Sequence, residues 1–433
     1  MTMDSGAQQP VRSAYRHYIL FLCCFTYFLA YLDRHVFATL LTPIKEEFGL
    51  SDATLGLLSG MAFALTYSLL GLPMGGLADR SSRKKILVAC VLIWSVMTLV
   101  CGVAKSAVML TIGRLGVGAG ESGVTPSAIS IISDLYPKSS RARAIACYPI
   151  CGALGAAAAL PIGAHLASAF GWRSVFLVLC IPGIVLATVI GLTFREQGRA
   201  ASPEGPAQSG EVHLSFRQTL WHIIRQPHLM YLFAAAGLMS MMTSMAGWLP
   251  AFYQRSHGLT LIEIGNTMGI VLAITGPLGM FCGGWLADRL GQGGTSRIMY
   301  LLAGISLLEI VTAALMLLTP SFQVSILWMF IWGLTTVAWA APCFTLSQNL
   351  APMHGKATSM AVLNVFNNII GYGLGPVITG GISTGIGAIA GAESLRWSLI
   401  TLGCGMGLLP ALMFLLAARA YTARAETIEV AGG

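Results

Sequence analysis

The chain reads as an all-α membrane protein, with twelve transmembrane helices in two pseudo-symmetric six-helix bundles. Three observations predict that fold. Only 10 % of the 433 residues are Asp, Glu, Lys or Arg, while 55 % are hydrophobic; a soluble domain carries about 25 % charged residues. The hydrophobic residues gather into runs of about 20 or more, the length a helix needs to cross the hydrocarbon of a bilayer. One motif occurs twice, half a chain apart: Gly75-Gly76-Leu77-Ala78-Asp79-Arg80 ends the second run and Gly283-Gly284-Trp285-Leu286-Ala287-Asp288-Arg289 the eighth. The composition excludes a soluble enzyme and a disordered chain.

The runs lie near 17–43, 53–78, 86–104, 107–136, 142–168, 172–194, 228–254, 262–287, 296–318, 322–350, 357–384 and 395–418. The first holds Tyr31-Leu32-Asp33-Arg34-His35-Val36-Phe37. It is too long for a signal peptide and no A-x-A site follows a short apolar core, so it is expected to stay as a membrane helix. The second leads into the basic loop Ser81-Ser82-Arg83-Lys84-Lys85. The fourth is glycine-rich and carries Arg114 and Glu121. The fifth has Gly152, Gly155, Pro161 and Gly163, and the eleventh has Gly371, Gly373, Gly375, Pro376, Gly380 and Gly381. Glycine lets backbones approach and proline permits bending, which suits a rocking interface as well as tight packing. The seventh supplies Met239, Met241, Met242, Met245 and Trp248, and the tenth Trp339. Both tryptophans line a cavity or pack inside. Asn364, Asn367 and Asn368 sit on the eleventh, where interhelical hydrogen bonds are their simplest use. The ten cysteines all fall in apolar runs and read as small buried hydrophobes.

Connections are short except for 195–227. Arg199 to Gly210 is rich in small and polar residues and reads as a flexible linker; His213 to Gln226 reads as an amphipathic helix on a membrane surface. The domain plan is therefore 1–194, a linker at 195–227, and 228–433. With both termini in the cytoplasm, 18 of the Lys and Arg residues fall inside and 5 outside, as the positive-inside rule requires.

Charges within spans are costly and mark function. Arg114 and Glu121 are seven apart, hence on one helix face. Asp33 and Arg34 point about 100° apart and look for partners on the fourth run, so a four-charge cluster is expected. A carboxylate facing an apolar cavity with an arginine nearby suits proton coupling, because moving or occupying the arginine changes the proton affinity. Glu309 is expected to face a helix neighbour or the interface. Gly118 to Gly123 fits GxGxxG and Gly381 to Gly385 fits GxSxG, but both lie in membrane runs without a preceding strand. Neither a Walker A motif nor a metal-binding cluster occurs, and no cofactor is expected.

The Gly-Asp-Arg loops and the doubled plan resemble the major facilitator superfamily. YLDRHVF, GRLGVGAGESGVTPSAISIISDLYP and the following RARAIA resemble its Spinster family, which moves lysolipids and sphingosine phosphate; His35 departs from the aromatic residue of several relatives. The resemblance implies a monomeric, proton-coupled, alternating-access transporter of the inner cell membrane, with bilayer, protons and a small amphipathic or anionic substrate as its partners and no nucleic acid. It implies that Asp33, Glu121 and Arg114 serve proton coupling, and that Arg34, Arg114, Glu121, Tyr31, Phe37, Trp248, Trp339 and Asn364 meet substrate. The implied cytoplasmic gate is Gly76, Asp79, Arg80, Arg83, Asp134, Arg143, Asp288 and Arg289. Small organic acids and multidrug efflux are the alternative cargoes. A non-transporting receptor or scaffold is the competing class, and no feature points to an enzyme.

Overall fold

A computed structural model describes residues 13–196, 216–352 and 355–432, with the side chains of 13, 72, 78–80, 138, 216, 357 and 424–432 outside the description. Every regular element in the described residues is helical. Ten helical runs are long and apolar enough to cross a membrane. We label the elements α1 (Ala14–Phe48), α2 (Asp52–Leu77), α3 (Arg83–Gly102), α4 (Ala107–Glu121), α5 (Val124–Leu135), α6 (Ser139–Phe170), α7 (Trp172–Thr193), α8 (Phe216–Ile224), α9 (Pro227–Gly247), α10 (Leu249–His257), α11 (Leu261–Gly291), α12 (Thr295–Leu318), α13 (Phe322–Leu350) and α14 (Thr358–Ala423).

Local chemistry sets many of the boundaries. Ser51, Ser82 and Ser106 cap α2, α3 and α4 by accepting from the backbone N–H three residues on, and Thr260 with Glu263 forms a reciprocal capping box at α11, each satisfying helix-terminal donors that would otherwise be orphaned. Gly49 and Gly258 follow α1 and α10 at φ 62° and 65°, a left-handed turn that costs glycine nothing.

The expected twelve runs and the ten helical ones differ in two places. The fourth run is broken: α4 ends at Glu121 and α5 starts at Val124. Pro126 has no N–H to offer and its ring crowds the carbonyl four residues back, at Ser122. The eleventh and twelfth runs form the single apolar stretch α14, interrupted at Gly391, where φ is 55°. Lys356–Val365, Phe366–Leu374 and Gly375–Ala390 precede the break, and Ser394–Ile400, Thr401–Gly405 and Leu408–Gly432 follow it.

Helices α1–α7 pack among themselves, and α9–α14 do likewise. The two sets meet along α2 with α14 and along α6 with α11. Buried aliphatic and aromatic side chains fill the space between helices, while Leu69, Phe281 and Ile389 are exposed. Outward apolar residues are what a bilayer, unlike water, tolerates. The same fact corrects the reading of the cysteines. Six are buried, but Cys147 and Cys282 are exposed and Cys151 and Cys404 half-buried, because an apolar side chain on a lipid-facing surface has no need to turn inward. Phe216–Ile224 is helical; the expected linker at 199–210 and the first residues of the expected helix, 213–215, lie outside the described residues. The helix docks through Ile223 and Thr219, which are buried, and leaves Trp221 and Ile224 exposed.

Candidate functional site

Asp33 and Arg34 lie near the end of the α-helical part of α1, just before the tighter turn Phe37–Leu40. Glu121 is the last residue of α4 before its break. The structure brings Arg34 and Glu121 together: Arg34 Nη2 donates to Glu121 Oε2 at 2.6 Å. Glu121 is 2 % exposed and the Arg34 side chain 21 %. Around the guanidinium stand three rings, Phe63 at 4.4 Å, Tyr67 at 4.8 Å and Tyr31 at 5.0 Å. Cation–π attraction reinforces a cation held over ring faces. Glu121 keeps its second oxygen, Oε1, without a partner.

Asp33 behaves differently from the expectation. It is 3 % exposed, and its Oδ2 accepts from Thr98 Oγ1 of α3 at 3.1 Å rather than from an arginine. Its Oδ1 is unpartnered. Arg114 and Glu121 act on it through space, without contact. Arg114 is buried, with its guanidinium 4.7 Å from the Phe37 ring and 5.5 Å from Phe63, and Nε and Nη1 make no hydrogen bond. So Phe37 lies under Arg114, and of the two cations Arg34 is the more exposed. Tyr31 bridges outward: its hydroxyl accepts from Tyr27 at 2.9 Å and its ring stacks on His35 at 5.7 Å.

The other expected substrate residues make no hydrogen bond to these charges among the described residues, and Trp248 shares a buried core with Phe37. Trp248 and the methionines of α9 are buried in the apolar interior. Trp339 is buried too, its Nε1 donating to Thr336 O at 2.9 Å. Asn364 is exposed, and its backbone carbonyl accepts from Asn368. Of the expected gate, Asp79 and Arg80 have side chains outside the described residues. Arg83 pairs with Asp134, and its backbone N–H donates to Glu196 at 2.8 Å, which ties neighbours within one helix set. Arg143, Asp288 and Arg289 are exposed, Arg289 lying over its own neighbour Trp285 at 4.1 Å. Gly76 has open space around it.

Sequence reasoning missed a charged contact that joins the two sets, which His165 of α6 and Asn266 of α11 also link at 3.2 Å. Asp52, at the start of α2, is 4 % exposed. It accepts from Arg255 Nη1 and Nη2 at 2.8 and 3.0 Å, from Lys45 Nζ at 2.8 Å and from Ser383 Oγ at 2.7 Å. Beside it Ala53 N–H donates to Thr384 Oγ1 at 3.0 Å. Four segments are tied to one carboxylate by charge-assisted bonds. Burial, and then the charge of Arg396, hold nearby His257 below the ordinary imidazole range. A Ser-Asp pair opening a helix looks like a cap in sequence, and Arg255 is 203 residues away, so only the missing partner for a buried-run charge hinted at this site. Thr98, Phe63 and Tyr67 were likewise missed; a lone hydroxyl in an otherwise apolar run was the available signal for Thr98.

A helical membrane protein with a charged pair linking its first and fourth runs, and two helix sets touching along two seams, has the build of a membrane carrier. A profile of the Major Facilitator Superfamily matches residues 23–376, and the chain belongs to that superfamily of transporters. It is 28 % identical over 404 residues to an MFS-type efflux pump of Mycolicibacterium smegmatis, covering 93 % of this chain and 92 % of the other. It is 26 % identical to a probable L-galactonate transporter of Escherichia coli over 89 % of this chain and 85 % of that one. The fold superposes with a TM-score of 0.84 and 28 % identity on a bacterial homologue of the human lysosomal transporter Spinster in an inward-facing, unoccupied conformation, covering 95 % of this chain and 99 % of that structure. Family and fold are those of transporters, not enzymes.

Proposed function

We propose that the protein is a proton-coupled secondary active transporter. It works by alternating access between two six-helix halves, 1–194 and 228–433, joined by a cytoplasmic linker at 195–227 that carries the surface helix α8. On this reading it crosses the inner membrane twelve times, as a monomer with both termini in the cytoplasm. The observation that carries the proposal is the Arg34–Glu121 pair at 2.6 Å, buried on its carboxylate side and reachable on its guanidinium side.

The chemistry follows from that asymmetry. An anion approaching the ring-lined guanidinium competes with Glu121 for it. A carboxylate that loses its cation in a low-dielectric setting holds a proton more firmly. Anion and proton then favour each other's binding, and by linkage the effect is reciprocal. Asp33, one position earlier, and Arg114 share the same field and tune it. Phe63, Tyr67 and Tyr31 offer ring faces to an apolar tail. The proposed cargo is therefore an amphipathic anion of lipid-like type, a lysophospholipid or a sphingoid phosphate. A small organic acid is the second reading, supported by the Escherichia coli relative, a probable L-galactonate transporter. The closed Asp52 end and the open Gly76 end correspond, with the basic loops placed inside, to an inward-facing state.

Purified protein in liposomes tests this. A pH gradient should drive uptake of lysophospholipid or sphingoid phosphate. Glu121→Gln should bind cargo but respond to the gradient at least 10-fold less. Flux indifferent to the gradient in the wild type, or an equally driven variant, overturns the reading.

A further inference from the structure

Glu309 stands at the middle of α12, fully buried. Its Oε1 lies 2.8 Å from Thr336 Oγ1 of α13, and its Oε2 has no hydrogen-bond partner. No ion pair reaches it among the described residues. Charged groups on the elements packed around α12 sit at element ends: Glu263, Asp288 and Arg289 on α11, Arg396 paired to Glu393 at 2.5 Å, and Arg419 near the end of α14. The titratable groups nearer the middle are neutral side chains, Cys343 of α13, Cys404, whose Sγ is 3.8 Å from Ile310 O, and Tyr372, which lies within electrostatic range of both Arg34 and Glu309.

The hydroxyls beyond Glu309 form a chain. Thr336 Oγ1 is 3.2 Å from Thr243 Oγ1, and Thr243 Oγ1 is 3.0 Å from the carbonyls of both Met239 and Thr336. Carbonyls only accept, so the Thr243 proton belongs to them. The single Thr336 hydroxyl proton cannot serve both Thr243 and Glu309; a protonated Glu309 donating to Thr336 satisfies both contacts at once. An ionised carboxylate in this place would also be a bare buried charge with one neutral neighbour, which proteins avoid by neutralising the group. We infer that Glu309 is a second proton-binding site, in the C-terminal helix set, and that it holds its proton in this conformation. Thr243 is the last α-helical residue before the tighter turn Ser244–Gly247, so the chain of hydroxyls ends at a bend in α9. The protonation does not rest on the coupling proposed above; any use of it in transport does.

Infrared difference spectroscopy on the protein in lipid nanodiscs, without cargo or gradient, tests it. At neutral pH the carbonyl stretch of a protonated carboxyl should be present in the wild type, absent from Glu309→Gln, and retained in Glu121→Gln. Thr336→Val should shift that band by removing its hydrogen bond, which keeps the test open if Glu309→Gln does not fold. Identical wild-type and Glu309→Gln spectra at neutral pH, a band unmoved by Thr336→Val, or a band abolished by sodium would overturn the inference. Because no flux is measured, failure here is distinguishable from failure of the transport reading.

Discussion

The two ends of the seam between the helix sets are made of the same helices and the same small residues, yet one is shut and the other open. At the Asp52 end a Cβ placed on Gly56 would sit 2.2 Å from Pro376 O, and one on Gly380 would sit 2.0 Å from Asp52 O. On the second seam a Cβ on Gly265 would meet Ala164 at 2.6 Å. Further along the same helices, a Cβ on Gly71, Gly76, Gly276 or Gly284 would meet nothing within 4 Å among the described residues. Gly56, Gly380 and Gly265 are thus used for contact across the seams, while Gly71, Gly76, Gly276 and Gly284 stand idle. An idle glycine on a helix that packs through glycine elsewhere is what a seam needs if each end closes in turn, since close backbone approach requires small residues wherever it occurs.

That contrast can be broken by one substitution made at both ends. Gly56→Leu should have the largest effect. It inserts a side chain where backbone already stands, at a cost of about 1–3 kcal/mol, roughly a 5- to 150-fold shift away from the closed arrangement. Spin-label distances across the Asp52 end should lengthen; unchanged distances with an unchanged Tm would remove the steric argument. Asp52→Asn comes next. It strips the charge that Arg255 and Lys45 share, and since those cations are 16 % and 34 % exposed the loss should be about 1–2 kcal/mol, smaller than for a fully buried pair. The same distance measurement should show partial opening, and a variant as closed as the wild type would mean that glycine packing alone holds this end. Gly76→Leu should have the smallest effect on stability, within about 0.5 kcal/mol, because its side chain enters open space. Turnover in liposomes should nonetheless fall several-fold. A variant that turns over at the wild-type rate would show that the Gly76 end never closes through this residue.

The charged groups teach a related lesson. Arg34 and Glu121 were legible as a pair because both are costly in a membrane and lie on runs that carry few other charges. Their neighbours were less so. Asp33 turns to Thr98, which no spacing rule connects to it, and Arg114, which the spacing put on one face with Glu121, is covered by Phe37 and Phe63. Of the gate expected at the Gly-Asp-Arg loop, the side chains of Asp79 and Arg80 lie outside the described residues. Arg83 and Asp134 bind each other within one set, and the joining carboxylate is Asp52 at the opposite end. Glu309 was visible as a charge in a membrane run, but its Thr336 and Thr243 partners were not.

The sequence by itself determined the class of protein, the apolar runs, the repeat and the places where charge enters the membrane. These depend on composition, run length and periodicity, which the chain carries locally. The tertiary structure alone decided which cation reaches which carboxylate, which of them is the more exposed, and where along the seam glycines touch. Those outcomes depend on how each helix is rotated and slid against its neighbours. A rotation of one residue, about 100°, separates Asp33 from Arg34 in what they meet, and it is set by packing across segments up to hundreds of positions apart.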